Sequence, residues 1–279
     1  MAFERYITDW DDAYANGPNI PGGDRWPQAW SEAAVPFRVA MLAAGRAELD
    51  IAYGEGPRNR FDLFLPERAP RGLFIFIHGG FWTKLDKSFW SHLSEGALAR
   101  GMAVAMPSYT LCPQIRIAGI GEEIARAVEA AADRIDGPIW LSGHSAGGHL
   151  ATRMVTETTP LAENVGERIK TVLSISGVHD LRPIMRTGMN GQLLLDEAEA
   201  AVESPALLAP RAGTRLICWV GAAERAEFVR QNALLANVWT GLGARTVAVE
   251  EPDRHHFDVI DGLKSPHHPM LDALLTDRS

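Results

Sequence analysis

The chain has 279 residues, 46% of them hydrophobic and 22% charged, enough to bury a large core. Its 35 Asp+Glu against 27 Lys+Arg give a formal net charge of −8. That balance, without a concentrated basic patch, argues against nucleic acid or an anionic membrane as the main partner.

Two cysteines, Cys112 and Cys218, are too few for a disulfide framework, and neither pairs with histidine at zinc-ligand spacing. No metal and no cofactor is implied. Residues 1–11 are acidic and mixed, with no basic or apolar leader pattern. Uncharged stretches such as 137–152 are too short and too polar to span a bilayer. The expected location is the cytoplasm. Nothing in the sequence fixes the oligomeric state.

Residues 1–45 are rich in Trp, Pro and Gly and read as an irregular arm, with one helix over 29–44 that Pro36 is expected to kink. Three of the eight tryptophans, Trp10, Trp26 and Trp30, lie here, ahead of any strand. Strands follow at 49–53, 60–65 and 73–77. The run Leu73-Phe-Ile-Phe-Ile77 is apolar without alternation, as a strand buried on both faces requires. A strand at 103–107 precedes a helix over 117–133, in which Ile120, Ile124, Ala127, Val128 and Ala131 form a core-facing stripe. A strand at 139–142, a helix over 146–156 and a strand at 171–175 come next. Residues 178–210 form a long excursion. After it come a strand at 215–220, a helix over 226–240, a strand at 245–250 and a helix over 270–275. This alternation predicts an α/β fold in one domain over 1–279: a mostly parallel eight-stranded sheet with helices on both faces. The arm and the excursion are the segments expected to cover a site, as a lid and a cap.

Gly143-His144-Ser145-Ala146-Gly147 is a G-x-S-x-G sequence set between a strand and a helix. That setting makes it a nucleophile elbow, with the serine hydroxyl raised at the sheet's carboxyl edge and at a helix N-terminus. His78-Gly79-Gly80-Phe81-Trp82 directly follows the buried strand 73–77. Backbone N–H groups of Gly79, Gly80 and Phe81, with that of Ala146, are the expected oxyanion donors. His78 reads as a structural residue that hydrogen-bonds this loop.

A nucleophilic serine needs a histidine base and an acid to orient it, in the chain order serine, acid, histidine. Asp253-Arg-His-His-Phe-Asp258 follows the last strand, and His256 is the expected base, with His255 as the alternative. No aspartate follows the penultimate strand directly, so Glu224 is the expected acid, with Glu227 or Asp253 as alternatives. Phe81, Trp82, Trp10, Trp26 and Trp30 are expected to form a flat apolar slot for an aromatic ring. Trp90, Trp140, Trp219 and Trp239 read as packing.

With these motifs in place the chain resembles the α/β-hydrolases and, more narrowly, the kynurenine formamidases (arylformamidases) and their bacterial relatives. The resemblance rests on residues 78–82, on Gly143-His-Ser-Ala-Gly-Gly-His-Leu150 and on the Gly221, Glu224, Glu227-Phe228 segment. It extends to His256-Phe257-Asp258, Ser176-Gly177-Val-His-Asp-Leu-Arg-Pro183, Leu195-Asp-Glu-Ala198 and Tyr14-Ala-Asn-Gly-Pro-Asn19. Phe81 stands where lipase-like relatives carry a third glycine and where the formamidase motif commonly has tyrosine. The acid, often aspartate in animal members, is here Glu224. The resemblance implies hydrolysis of an N-formyl aryl amide through an acyl-enzyme, with a carboxylesterase on small acyl or aryl esters as the alternative. A ligand-binding protein that has lost turnover is the third reading, disfavoured by the intact serine, histidine and glycines.

Overall fold

Eight strands pair into one sheet, ordered β1-β2-β4-β3-β5-β6-β7-β8. The strands are β1 (Ala47–Ala52), β2 (Arg60–Phe64), β3 (Leu73–Ile77), β4 (Ala103–Pro107), β5 (Ile139–His144), β6 (Ile169–Ile175), β7 (Arg215–Gly221) and β8 (Arg245–Glu251). The computed structural model describes residues 6–276. Part of the leader reading of residues 1–11 therefore lies outside the described residues, as do the chain's last three residues. β2 runs antiparallel to both β1 and β4, and every other pair is parallel. Parallel strands need crossovers, and these put helices on both faces.

The helices are α1 (Trp10–Tyr14), α2 (Trp26–Ala43), α3 (Glu95–Ala99), α4 (Ile117–Ala132), α5 (Ala146–Arg153), α6 (Glu163–Gly166), α7 (Asn190–Leu193), α8 (Glu197–Val202), α9 (Ala226–Gly241) and α10 (Pro269–Leu275). Successive strand side chains point to opposite faces and seed two cores. Leu73, Ile75 and Ile77 of β3 pack with Ile120, Ile124 and Val128 of α4, Leu150 of α5 and Phe228 of α9. Phe74 and Phe76 pack with Trp30 and Met41 of α2, Trp90, and Leu271 and Leu274 of α10. No helix among the described residues is long and apolar enough to cross a membrane.

The arm differs from its sequence reading. Among its described residues it is largely helical, with residues 6–9 and 15–25 lying outside α1 and α2 and the latter holding two short 3-10 turns, Gly17–Asn19 and Gly23–Arg25. α2 runs through Pro36 without interruption of its helical assignment. Pro36 and Glu32 are both exposed, so the carbonyl that loses its donor to the proline lies on the solvated face.

A buried ionic cluster ties α2 to the sheet. Asp62 of β2 is fully buried and accepts from Arg38 of α2 through one oxygen. Through the other it meets Lys87 Nζ at 2.7 Å and the Asp50 N–H at 2.9 Å. Asp62 is thus a desolvated carboxylate compensated by two cations, the condition under which a buried charge is tolerated.

Candidate active site

The site lies at the carboxyl edge of the sheet, where β3, β5, β6, β7 and β8 end. Ser145 occupies the one-residue turn from β5 into α5, with φ 56° and ψ −119°. This is a strained conformation for a residue with a side chain, and the crowding around it explains the flanking glycines. A Cβ on Gly143 would lie 2.1 Å from the Gly147 carbonyl oxygen, and one on Gly147 would lie 2.0 Å from that of Ile77.

The His78–Trp82 loop packs against this elbow. A Cβ on Gly79 would come 3.1 Å from Ser145 Cβ. Phe81 and Trp82 both have positive φ (50° and 58°), so the chain twists sharply just past the glycines. His78 Nδ1–H donates to the Gly79 carbonyl at 2.7 Å, and its ring stacks on Tyr109 at 4.3 Å. Burial pushes the His78 imidazole down to about 4, so it stays neutral and braces the loop.

The structure brings Glu224 and His256 together. Glu224 follows β7, His256 follows β8, and Nδ1–H of the imidazole donates to Glu224 Oε2 at 2.6 Å, with both side chains almost completely buried. The second carboxylate oxygen accepts from the Gly221 N–H at 2.8 Å and from Ser176 Oγ at 2.5 Å. His144 Nε2–H donates to the His256 carbonyl at 2.8 Å, and the two rings lie 4.6 Å apart. Burial and the neighbouring His256 hold His144 well below the ordinary histidine range, so it is neutral. Phe228 closes the other side of the His256 ring at 4.4 Å.

The alternatives are engaged elsewhere. His255 Nδ1 accepts from the Phe257 and Asp258 N–H groups, and its ring meets Trp26 edge-on at 5.2 Å. Glu227 accepts from Tyr14 Oη at 2.7 Å and pairs with Arg230. Asp253 is exposed.

Ser145, His144 and His256 open into a cavity of about 740 Å³. Gly80 and Phe81 form part of its wall, while Gly79, packed against the serine, and the fully buried Ala146 are not among the lining residues. Of the aromatic residues expected there, Phe81 and Trp30 line the cavity and three do not. Trp82 turns into the core, fully buried and edge-on to His149 at 5.3 Å, because the positive φ at 81 and 82 redirects its side chain. Trp10 lies under the Arg186 guanidinium at 5.2 Å. Trp26 stands behind Trp30, wedged against His255 and Phe257. Conversely Trp90, read from sequence as packing, lines the cavity with its ring 5.3 Å from that of Trp30.

The arm supplies the rest of that wall through Tyr14, Asn16, Ile20 and Pro27, whereas the excursion adds only Met189 among the lining residues. Tyr14, Asn16 and Ser176 were missed in the sequence. The one available signal was their place in segments that carry the family resemblance. The indole N–H groups of Trp30 and Trp90 and the Asn16 amide nitrogen are buried without a protein partner.

The BD-FAE family model matches residues 61–210, which hold both glycine motifs. The chain is 27% identical to the kynurenine formamidase of Danio rerio over 270 residues, covering 90% of this chain and 92% of that protein. It is also 27% identical to the kynurenine formamidase of Salmo salar, over 81% of this chain and 80% of that one. A crystal structure from Silicibacter sp., provisionally named a thioesterase, superposes with a TM-score of 0.91 at 47% identity, covering 96% of this chain and 99% of that one. An esterase from Pyrobaculum calidifontis shares the fold, with a TM-score of 0.66 at 18% identity over 89% of each chain. The chain belongs to the BD-FAE family, has the α/β-hydrolase fold and is a hydrolase.

Proposed function

We propose that the protein hydrolyses N-formyl aryl amides of the N-formylkynurenine type to the arylamine and formate through a formyl-enzyme. The observation that carries the chemistry is the 2.6 Å contact of His256 Nδ1 with Glu224, on the cavity into which Ser145 opens. In this reading Ser145 attacks the formyl carbon while His256 takes its proton and Glu224 stabilises the imidazolium. The oxyanion forms against the backbone N–H groups of Gly79, Gly80, Phe81 and Ala146. His256 then protonates the departing amine, which leaves badly as an anion, and water releases formate. Trp30, Phe81, Trp90 and Phe257 give the cavity flat apolar walls suited to an aromatic ring. The names of the Danio rerio and Salmo salar relatives, whose lengths this chain covers to 92% and 80%, support the formamide as substrate.

A second reading, hydrolysis of a thioester or ester by the same residues, is favoured by the name of the 47% identical Silicibacter protein. The test is kcat/KM for N-formylkynurenine, p-nitrophenyl acetate and an aryl thioester on the purified protein, with formanilide compared against acetanilide. The formamidase reading expects N-formylkynurenine to lead and formyl to exceed acetyl. Ester or thioester turnover without any formamide turnover would replace it with the second reading.

A further inference from the structure

Ser176 stands directly after β6, is completely buried and has φ 52°. A residue with a Cβ is uncommon in this left-handed region and costs of order 1 kcal/mol there, whereas glycine adopts it freely. Glycine is the residue that the backbone alone would select. The side chain present instead puts its hydroxyl 2.5 Å from Glu224 Oε1, the oxygen that does not face His256. The Ser176 N–H donates to the Trp219 carbonyl at 2.7 Å, so the hydroxyl projects from a main chain pinned to the end of β7.

We propose that Ser176 is a positioning residue for the triad acid: its hydroxyl, with the Gly221 N–H, fixes the longer glutamate side chain so that Oε2 meets His256. The proposal rests on the reading of Glu224 as the acid of the hydrolytic triad. A glutamate has one more rotatable bond than an aspartate, and two donors from two strand ends remove that freedom. Donation to the carboxylate also tempers its charge. Without Ser176 the undivided carboxylate charge pulls harder on the imidazolium that forms at His256. No other charged side chain among the described residues hydrogen-bonds or ion-pairs with either member of the pair. Among the described residues Glu224 meets Ser176, Gly221 and His256, while the His256 ring faces neutral His144 from β5, Phe228 from α9 and Phe257 from its own loop. The nearest cation on that loop, Arg254, is held by Glu251 and Asp258.

The experiment compares Ser176→Gly, Ser176→Ala and Glu224→Gln by pH–rate profile and thermal melting, using whichever substrate turns over fastest. Loss of a charge-assisted hydrogen bond predicts a fall in kcat of about ten- to a hundredfold in both serine variants. The acid limb of kcat/KM should move to higher pH. Because glycine relieves the strained φ, Ser176→Gly should melt no lower than Ser176→Ala while being equally impaired. Wild-type kcat and an unmoved acid limb in Ser176→Gly overturn the proposal. If Glu224→Gln is itself fully active, the triad reading fails; if Glu224→Gln is crippled and Ser176→Gly is normal, only the positioning role fails.

Discussion

On the sheet side of the cavity each member of the proposed triad is tightly constrained. Ser145 sits in a turn with no room on either side, His256 is gripped at its ring by Glu224 and at its carbonyl by His144, and Glu224 accepts three hydrogen bonds. On the arm side the hold is of another kind. Trp30 is placed by ring contacts with Trp26, Trp90 and Phe257. The arm's polar anchors are Tyr14, which donates to Glu227 and accepts from Gln231 Nε2 at 3.0 Å, and Arg38, which pairs with Asp62. Burial and the Glu227 carboxylate push the Tyr14 phenol far up, so it remains a donor at every working pH. The contrast implies a division of labour. On the proposed reading, strand ends would fix the geometry of bond breaking, and an arm held by aromatic packing and two polar anchors would shape the cavity. Changes on the sheet side should therefore appear in kcat, and changes on the arm side in KM.

The most severe way to probe this division is Ser145→Ala, expected to lower kcat/KM by about 10⁴-fold or more with the melting temperature nearly unchanged. Residual turnover near the wild-type rate, measured on freshly purified protein, would remove the nucleophile from the mechanism. Next is Glu224→Gln, expected to reduce kcat by about 10³-fold while KM stays within about twofold. A rise in KM at constant kcat would place Glu224 with the arm rather than with the sheet.

Acid should separate the two sides through stability. His78 is pushed down to about 4 and His149 and His179 to about 3, all chiefly by burial, and all three stand on the sheet side. They are neutral when folded but protonate near 6.5 when unfolded, so stability is fully present above pH 6.5 and is lost as pH falls toward 4. The loss is at most about 1.4 kcal/mol per pH unit for each histidine. Urea midpoints between pH 7.5 and 5 should fall steeply below 6.5, and a flat profile would contradict the neutral buried state. The smallest expected effect is that of Tyr14→Phe, which deprives Glu227 of a buried donor at a cost of about 1 kcal/mol. It should raise KM for aromatic substrates about three- to fivefold and leave kcat alone. A fall in kcat instead would dissolve the distinction between the two walls.

The sheet was readable because its strands announce themselves locally. Leu73–Ile77 and Ala103–Pro107 are buried apolar runs whose observed limits equal the predicted ones, and the elbow glycines mark a strand-to-helix turn. What stayed hidden depends on backbone twist or on meetings between distant segments. Trp82 reads like Phe81 in sequence, yet two consecutive positive φ angles send one to the core and the other to the cavity. Trp90 has no local pattern that separates packing from lining. Ser176 lies 48 residues before Glu224, and its hydroxyl acquires meaning only when the ends of β6 and β7 are placed side by side.

The Asp62 cluster bears on how this molecule could be rebuilt. Asp62 joins Arg38, on the helix that carries Trp30, to Lys87, which lies between the cavity residues Leu85 and Trp90. The arm and the chain that follows the His78-Gly79-Gly80 motif thus share one electrostatic rivet. An arm transplanted from a relative to alter selectivity would bring its tryptophans but not this match. Transferring positions 38, 62 and 87 as a set should be what distinguishes a working chimera from one whose grafted arm leaves a lone carboxylate under the sheet.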